Sequence, residues 1–147
     1  IEHGSRSVEM LITNDRKEAE EIGVLINQTN MRRRDIDTKM TAEAFALIEA
    51  DQYFAANKST VLFQAHWHKG VVGIVASRVL EKYYKPTIIL TQNDGIVTGS
   101  ARSIRNFDIH AALSRCADLL IQFGGHAFAA GMSLNPENLD AFIARFE

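Results

Sequence analysis

With 147 residues, 46% hydrophobic and 23% charged, the chain holds enough apolar material for one compact core plus an extended appendage. Its longest unbroken apolar run, Val71 to Ala76 with glycine allowed, is far below the ~20 residues of a spanning helix, so no membrane partner is expected. The lone Cys116 excludes an intrachain disulfide and no Cys-x-x-Cys or Cys/His cluster offers a zinc site, which points to a reducing compartment, the cytoplasm.

The chain opens Ile1-Glu2-His3-Gly4, without an initiator methionine, a basic n-region or an apolar h-region, and reads as an internal boundary of a longer protein. Asp15 followed by Glu18 has the spacing of a capping box and predicts a helix start. Ile22, Leu25 and Ile26, then Ile36, Met40, Ala44, Leu47 and Ile48, recur at steps of three and four. The pattern predicts one long helix, or two nearly continuous ones, to about Phe54. Such a segment suits a connector over residues 1–57, whose apolar stripe packs partly on a domain that follows and partly on one outside the chain.

A second domain is expected over residues 58–147. Thr60–Gln64 is a short apolar run of the buried-strand type, and Gly70 and Gly73 introduce a helix with Val72, Val75, Ala76, Val79, Leu80 and Tyr83 on one face. Tyr84-Lys85-Pro86 ends it. Thr87–Thr91 and Ile96–Ala101 read as strands joined by the turn Gln92–Gly95. Asp108 can cap a short helix, Leu119–Phe123 is apolar and reads equally as helix or strand, Gly131–Leu134 reads as a last strand, and Pro136-Glu137 opens a terminal helix. The fold class is therefore α/β: a mixed sheet of four to five strands flanked by helices, preceded by a long connector helix.

The net charge of −2 is unevenly spread. Residues 1–57 hold 7 Lys/Arg against 11 Asp/Glu, residues 58–115 hold 8 against 3, and residues 116–147 hold 1 against 4. The basic middle suits a phosphate-rich ligand and equally a solvated face.

Three polar clusters interrupt the core pattern. His66-Trp67-His68-Lys69-Gly70 lies at a strand-to-helix junction, where free amides favour anions and His68 and Lys69 add donors; an ordinary loop around a packed tryptophan reads the same way. In Gly99-Ser100-Ala101-Arg102-Ser103-Ile104-Arg105, strand alternation puts Ser100 and Arg102 on one face, ready for a phosphate or simply solvated on an edge. In Phe123-Gly124-Gly125-His126-Ala127-Phe128-Ala129-Ala130-Gly131, the glycines allow close backbone approach to a ligand or positive φ, and His126 is a ligand contact or a structural residue. No P-loop, nucleophile elbow, zinc-protease helix or carboxylate cluster is present, so neither a catalytic residue nor a metal ligand is expected in this chain.

Taken together, Trp67–Arg78 (W-H-K-G-V-V-G-I-V-A-S-R), Gly99–Ser103 and Gly124–Gly131 resemble the DHH-associated domain of RecJ-type exonucleases, in the DHH phosphoesterase superfamily. The resemblance covers about residues 58–147, and the preceding helix looks like the family's connector. It implies a two-lobed, metal-dependent phosphodiesterase with a role in DNA repair and recombination. In it an N-terminal DHH catalytic domain, outside this chain and acting in cis, uses Mn2+ or Mg2+ to degrade single-stranded DNA 5′→3′. The associated domain would face those metals across a cleft. Carried over, Ser100, Arg102 and Ser103 would contact phosphate or sugar, Gly124, Gly125 and His126 would line the scissile-phosphate side, and His68 would lie near them. Lys69 and Arg105 join this set as basic neighbours. His66 stands where the family often has a smaller residue. Two other readings stay open: the same fold acting on short oligoribonucleotides or small phosphoesters, and a structural or dimerisation module.

Overall fold

The computed structural model describes residues 16–147, which divide between Ile36 and Asp37 into two units. The expected capping box at Asp15 lies outside the described residues. Helix α1 runs Arg16–Ala50, 35 residues without proline, a length of ~52 Å at ~1.5 Å per residue. Within the first unit Val24, Leu25 and Met31 are exposed. In the second, Met40, Ala44 and Ile48 are buried at the helical spacing that the sequence predicts. The helix stops before Phe54 because Asp51 is extended and its carboxylate accepts from the Tyr53 amide, capping a new short helix α2 (Gln52–Ala56). Of the two expected forms, the nearly continuous pair is the one observed.

Beyond it come β1 (Thr60–Phe63), α3 (Val72–Tyr83), β2 (Thr87–Asn93), β3 (Ile96–Arg102), α4 (Ile109–Ser114), β4 (Gln122–Gly125), β5 (Ala129–Leu134) and α5 (Leu139–Phe146). Tyr84, at φ 51°, closes α3 with its amide on the Leu80 carbonyl, and Pro86 follows. Asp94 and Gly95, both at positive φ, make the tight turn between β2 and β3. The ambiguous Leu119–Phe123 segment divides: Ala117–Leu119 is a 3-10 turn, and Gln122 begins a strand paired with β5. β5 starts at Ala129, two residues before the expected strand, because the partners Arg102 and Gly125 extend the ladder to Ala129 and Ala130. Pro136 opens a 3-10 turn, and only then α5.

The sheet order is β1-β2-β3-β5-β4, with β1 parallel to β2 across the α3 crossover and the other pairs antiparallel. The chain is thus α/β with a five-stranded mixed sheet and a long preceding helix, as expected. One face carries Val61, Ile88, Leu90, Val97, Ala101, Ala130, Met132 and Leu134, packed with Ile109, Leu113 and Cys116 around α4 and Phe142 of α5. The other face divides. Over β2 and β3 it is covered by α3, whose Val72, Val75, Ala76 and Val79 are buried. Over β5 and β4 it is open: Gln122, Gly124 and Gly131 are exposed.

Candidate functional site

The open half of the sheet and the start of α3 meet along β3. The register places Thr98, Ser100 and Arg102 on one face, beside Ser133, Gly131 and Ala129 of β5, with Gln122 and Gly124 of β4 beyond. A depression of about 430 Å3 lies here, lined by Thr98, Gln122, Gly124, Gly131 and Ser133 together with Gly99, Phe123 and Met132.

Arg102 is half-buried at the edge of this face. Its Nη1 donates to the Ala101 carbonyl at 2.8 Å, and no carboxylate among the described residues pairs with it. Its Nη2 lies against the first turn of α3: a β-carbon at Gly73 would stand 2.8 Å from Arg102 Nη2 and 3.4 Å from Ser100 Oγ. Only glycine leaves room for the guanidinium there. Val71, before the first turn, provides no side-chain cap, so this end of α3 keeps its amide dipoles uncapped beside an unpaired cation.

The loop before α3 is held in shape from within. His68 Nδ1 accepts from the Gly70 amide at 3.0 Å, and the His68 carbonyl accepts from Val71 at 3.1 Å. That leaves Nε2 to carry the proton of the neutral imidazole and to act as a donor. His126 repeats the device in the β4–β5 turn, accepting at Nδ1 from the Phe128 amide at 3.2 Å while its own amide donates to Ala129 at 2.9 Å. Ser103 N donates to the Phe128 carbonyl at 2.9 Å, which ties the exit of β3 to the turn carrying His126. The structure therefore brings Ser100, Arg102, Ser103 and His126 to one end of the open face, with Gly73 of α3.

The Ser103 hydroxyl and the remaining predicted residues are placed differently. Ser103 Oγ donates to the Phe107 carbonyl at 2.7 Å, so its hydroxyl proton is committed to the turn and only its lone pairs face outward chemistry. Gly125 sits at φ 140°, and a β-carbon there would meet Ala129 O at 2.3 Å; it is glycine for the turn. Gly124 has nothing within 4 Å of a built β-carbon, and its partner Gly131 only Gly99 O at 3.7 Å. Nothing among the described residues requires glycine at that pair, which leaves a patch of bare backbone. Lys69 and Arg105 are exposed and make no ion pair among the described residues.

Sequence reasoning passed over Gly73, Gly131 and Glu43. Gly73 was visible only as a helix opener, because its contact is with a strand 29 residues away in sequence. Glu43 lies on α1 and accepts from Trp67 Nε1 at 2.7 Å and from His66 Nε2 at 3.1 Å. The Trp67 hydrogen bond, aided by His66 and opposed by desolvation, holds the Glu43 carboxyl below its ordinary value. Among the described residues no group of three or more His, Cys, Asp or Glu is placed to hold a metal ion, and no helix is long and apolar enough to cross a membrane.

Comparison with known proteins gives this geometry relatives. Residues 53–147 match the DHHA1 domain family. The single-stranded-DNA-specific exonuclease RecJ of Bacillus subtilis (strain 168) is 43% identical over 147 residues, covering 99% of this chain and 18% of that protein. The crystal structure of RecJ in complex with Mg2+ from Thermus thermophilus matches with a TM-score of 0.81 at 33% identity, over 97% of this chain and 22% of its own. A crystal structure of exonuclease RecJ bound to manganese matches with a TM-score of 0.83 at 33% identity, over 97% of this chain and 35% of its own. The chain thus spans a minor part of the length of each relative.

Proposed function

The chain belongs to the DHHA1 domain family, and we propose that it is the substrate-gripping part of a RecJ-like exonuclease, holding the phosphates and 5′ end of single-stranded DNA while another part of the same protein cleaves it. One observation carries this reading: a half-buried Arg102, without a carboxylate partner among the described residues, is held against the uncapped start of α3 beside Ser100, at the end of an open glycine-lined face. A guanidinium fork and first-turn amides converging on one point suit a phosphate, whose oxygens accept from several donors at once. Ser100 adds a neutral donor, and His68 and His126 each present an Nε2–H. The bare backbone at Gly124 and Gly131 lets a strand lie close to the sheet.

In this reading residues 58–147 bind substrate and residues 1–57 connect them to a DHH catalytic domain in cis. The whole protein would degrade single-stranded DNA 5′→3′ in DNA repair and recombination, in the cytoplasm. The relatives' structures contain Mg2+ or manganese. The described residues offer no ligand set for either ion, so the metal would be held by the rest of the protein, and the chain alone would bind without cleaving.

The test is fluorescence anisotropy of the chain with a 5′-phosphorylated single-stranded oligonucleotide across a salt series. Arg102→Ala is expected to weaken binding about tenfold, the loss of one charged hydrogen-bonding group. It should also flatten the slope of log affinity against log salt by ~0.7, one phosphate contact on a single strand. Affinity and slope both unchanged would overturn the assignment.

A further inference from the structure

The loop that carries His68 and Lys69 is fastened to α1 by a single carboxylate. Trp67 is buried at 3% exposure, and its indole N–H, the ring's one polar atom, ends on Glu43 at 2.7 Å. The neighbouring His66 Nε2 lies 3.1 and 3.2 Å from the two oxygens of the same carboxylate. One turn earlier on α1, Met40 Sδ receives the His68 amide at 3.4 Å. From this anchored tryptophan the chain passes through the His68–Gly70 turn into α3. A β-carbon at Gly73 there would stand 2.8 Å from Arg102 Nη2. The path from Glu43 to the guanidinium is buried at Trp67, Val71 and Val72, and its exposed turn between them is held by the hydrogen bond from the Gly70 amide to His68 Nδ1.

We infer that Glu43 is a positioning residue of the phosphate grip: by accepting from Trp67 and His66 it fixes the His66–Gly70 loop, and so the placing of His68, Lys69 and the first turn of α3 against Arg102. This rests on the reading of that end of the sheet as a phosphate site. A carboxylate that merely satisfied a buried indole would change stability when removed and leave the ligand affinity of the folded protein alone. A positioning carboxylate changes both the tryptophan environment and the affinity, and its effect vanishes once the group it positions is gone.

Trp67 is the only tryptophan in the chain, so its emission reports the contact directly. The experiment compares wild type, Glu43→Ala, Glu43→Gln, His68→Ala and the Glu43→Ala/His68→Ala double variant. It reads Trp67 emission and the affinity for a 5′-phosphorylated single-stranded oligonucleotide, at a temperature where circular dichroism shows every variant folded. Glu43→Ala is expected to shift the emission and weaken binding about tenfold, the scale of one charged hydrogen bond. Glutamine keeps an acceptor for the indole, so Glu43→Gln should restore most of both. The double variant should bind no more weakly than the weaker single one, the non-additivity of groups acting as a unit. Unchanged affinity in Glu43→Ala while His68→Ala binds weakly, or fully additive losses, would overturn the inference and leave the phosphate site standing. Binding unchanged in all of these variants and in Arg102→Ala measured beside them would instead overturn the phosphate site, and the inference with it; binding weakened in Arg102→Ala but not in Glu43→Ala would overturn the inference alone.

Discussion

Four glycines on or beside the open face are there for three different physical reasons, and substitution by alanine separates them. At Gly99 a β-carbon would meet the Ile89 carbonyl at 2.3 Å. Gly99→Ala must push two strands apart and is expected to cost about 1–3 kcal/mol or more, read as a lowered urea midpoint. At Gly73 the obstacle is the Arg102 guanidinium, a movable group. Gly73→Ala should therefore leave the urea midpoint nearly unchanged and displace the arginine, so that binding of a 5′-phosphorylated strand falls by an amount similar to Arg102→Ala. At Gly124 and Gly131 there is open space. If a strand lies on that backbone, Gly124→Ala weakens binding in a fully stable protein; unchanged binding would remove the glycine pair from the interface.

Among elements, the second half of α1 and α3 are joined by polar contacts. Arg78 Nη2 meets Asp37 at 2.9 Å, Lys82 Nζ meets Glu49 at 2.9 Å and lies 4.3 Å from the centre of the Phe45 ring, and Trp67 meets Glu43. Glu43 and Glu49 are both held below the ordinary value of 4.5, the first chiefly by Trp67 and the second chiefly by Lys82. A carboxyl depressed in the folded state contributes stability above its unfolded pKa and loses it as pH falls through the folded one. The melting temperature should thus decline below about pH 4.5, and Glu43→Gln should make that decline shallower. Exposed pairs such as Lys82–Glu49 contribute little of it, because water screens them. On the other face α5 packs on the core through Phe142, which is fully buried, with Leu139, Ile143 and Phe146 partly buried beside it. Phe142→Ala is expected to cost about 3–5 kcal/mol, measured by urea unfolding. The terminal helix was legible from Leu139, Phe142 and Ile143 at helical spacing, whereas β4 was not. Its Gln122-Phe123-Gly124-Gly125 has little strand propensity of its own and is a strand because β5 offers it a ladder.

Across the whole chain, residues 37–147 form a unit with its own core and sheet. A chain beginning at Asp37 is expected to melt within ~4 °C of the full chain, a difference below ~1 kcal/mol. A larger fall would mean that residues 1–36 contribute to that core. The same unit holds both the candidate phosphate site and Glu43, so the truncated chain should also keep its affinity for single-stranded DNA.

Order along the chain was enough to specify the helices of period 3.6, the buried strands at Thr60 and Thr87, the Asp94-Gly95 turn and the pairing of Ser100 with Arg102 on one face. All of these depend on neighbours a few residues apart, where steric and hydrogen-bonding rules act locally. The W-H-x-G-V-x-G-I-V-A-S-R and G-G-H-x-x-A-A-G stretches were enough to point to the family. Folding in three dimensions settled which glycines are required and which are open, that Arg102 has no carboxylate partner among the described residues, and that Glu43 reaches across to Trp67. The contacts of Gly73 with Arg102 and of Glu43 with Trp67 join residues 29 and 24 positions apart, and spacing along the chain carries no information about which surfaces meet once a crossover helix folds onto its sheet.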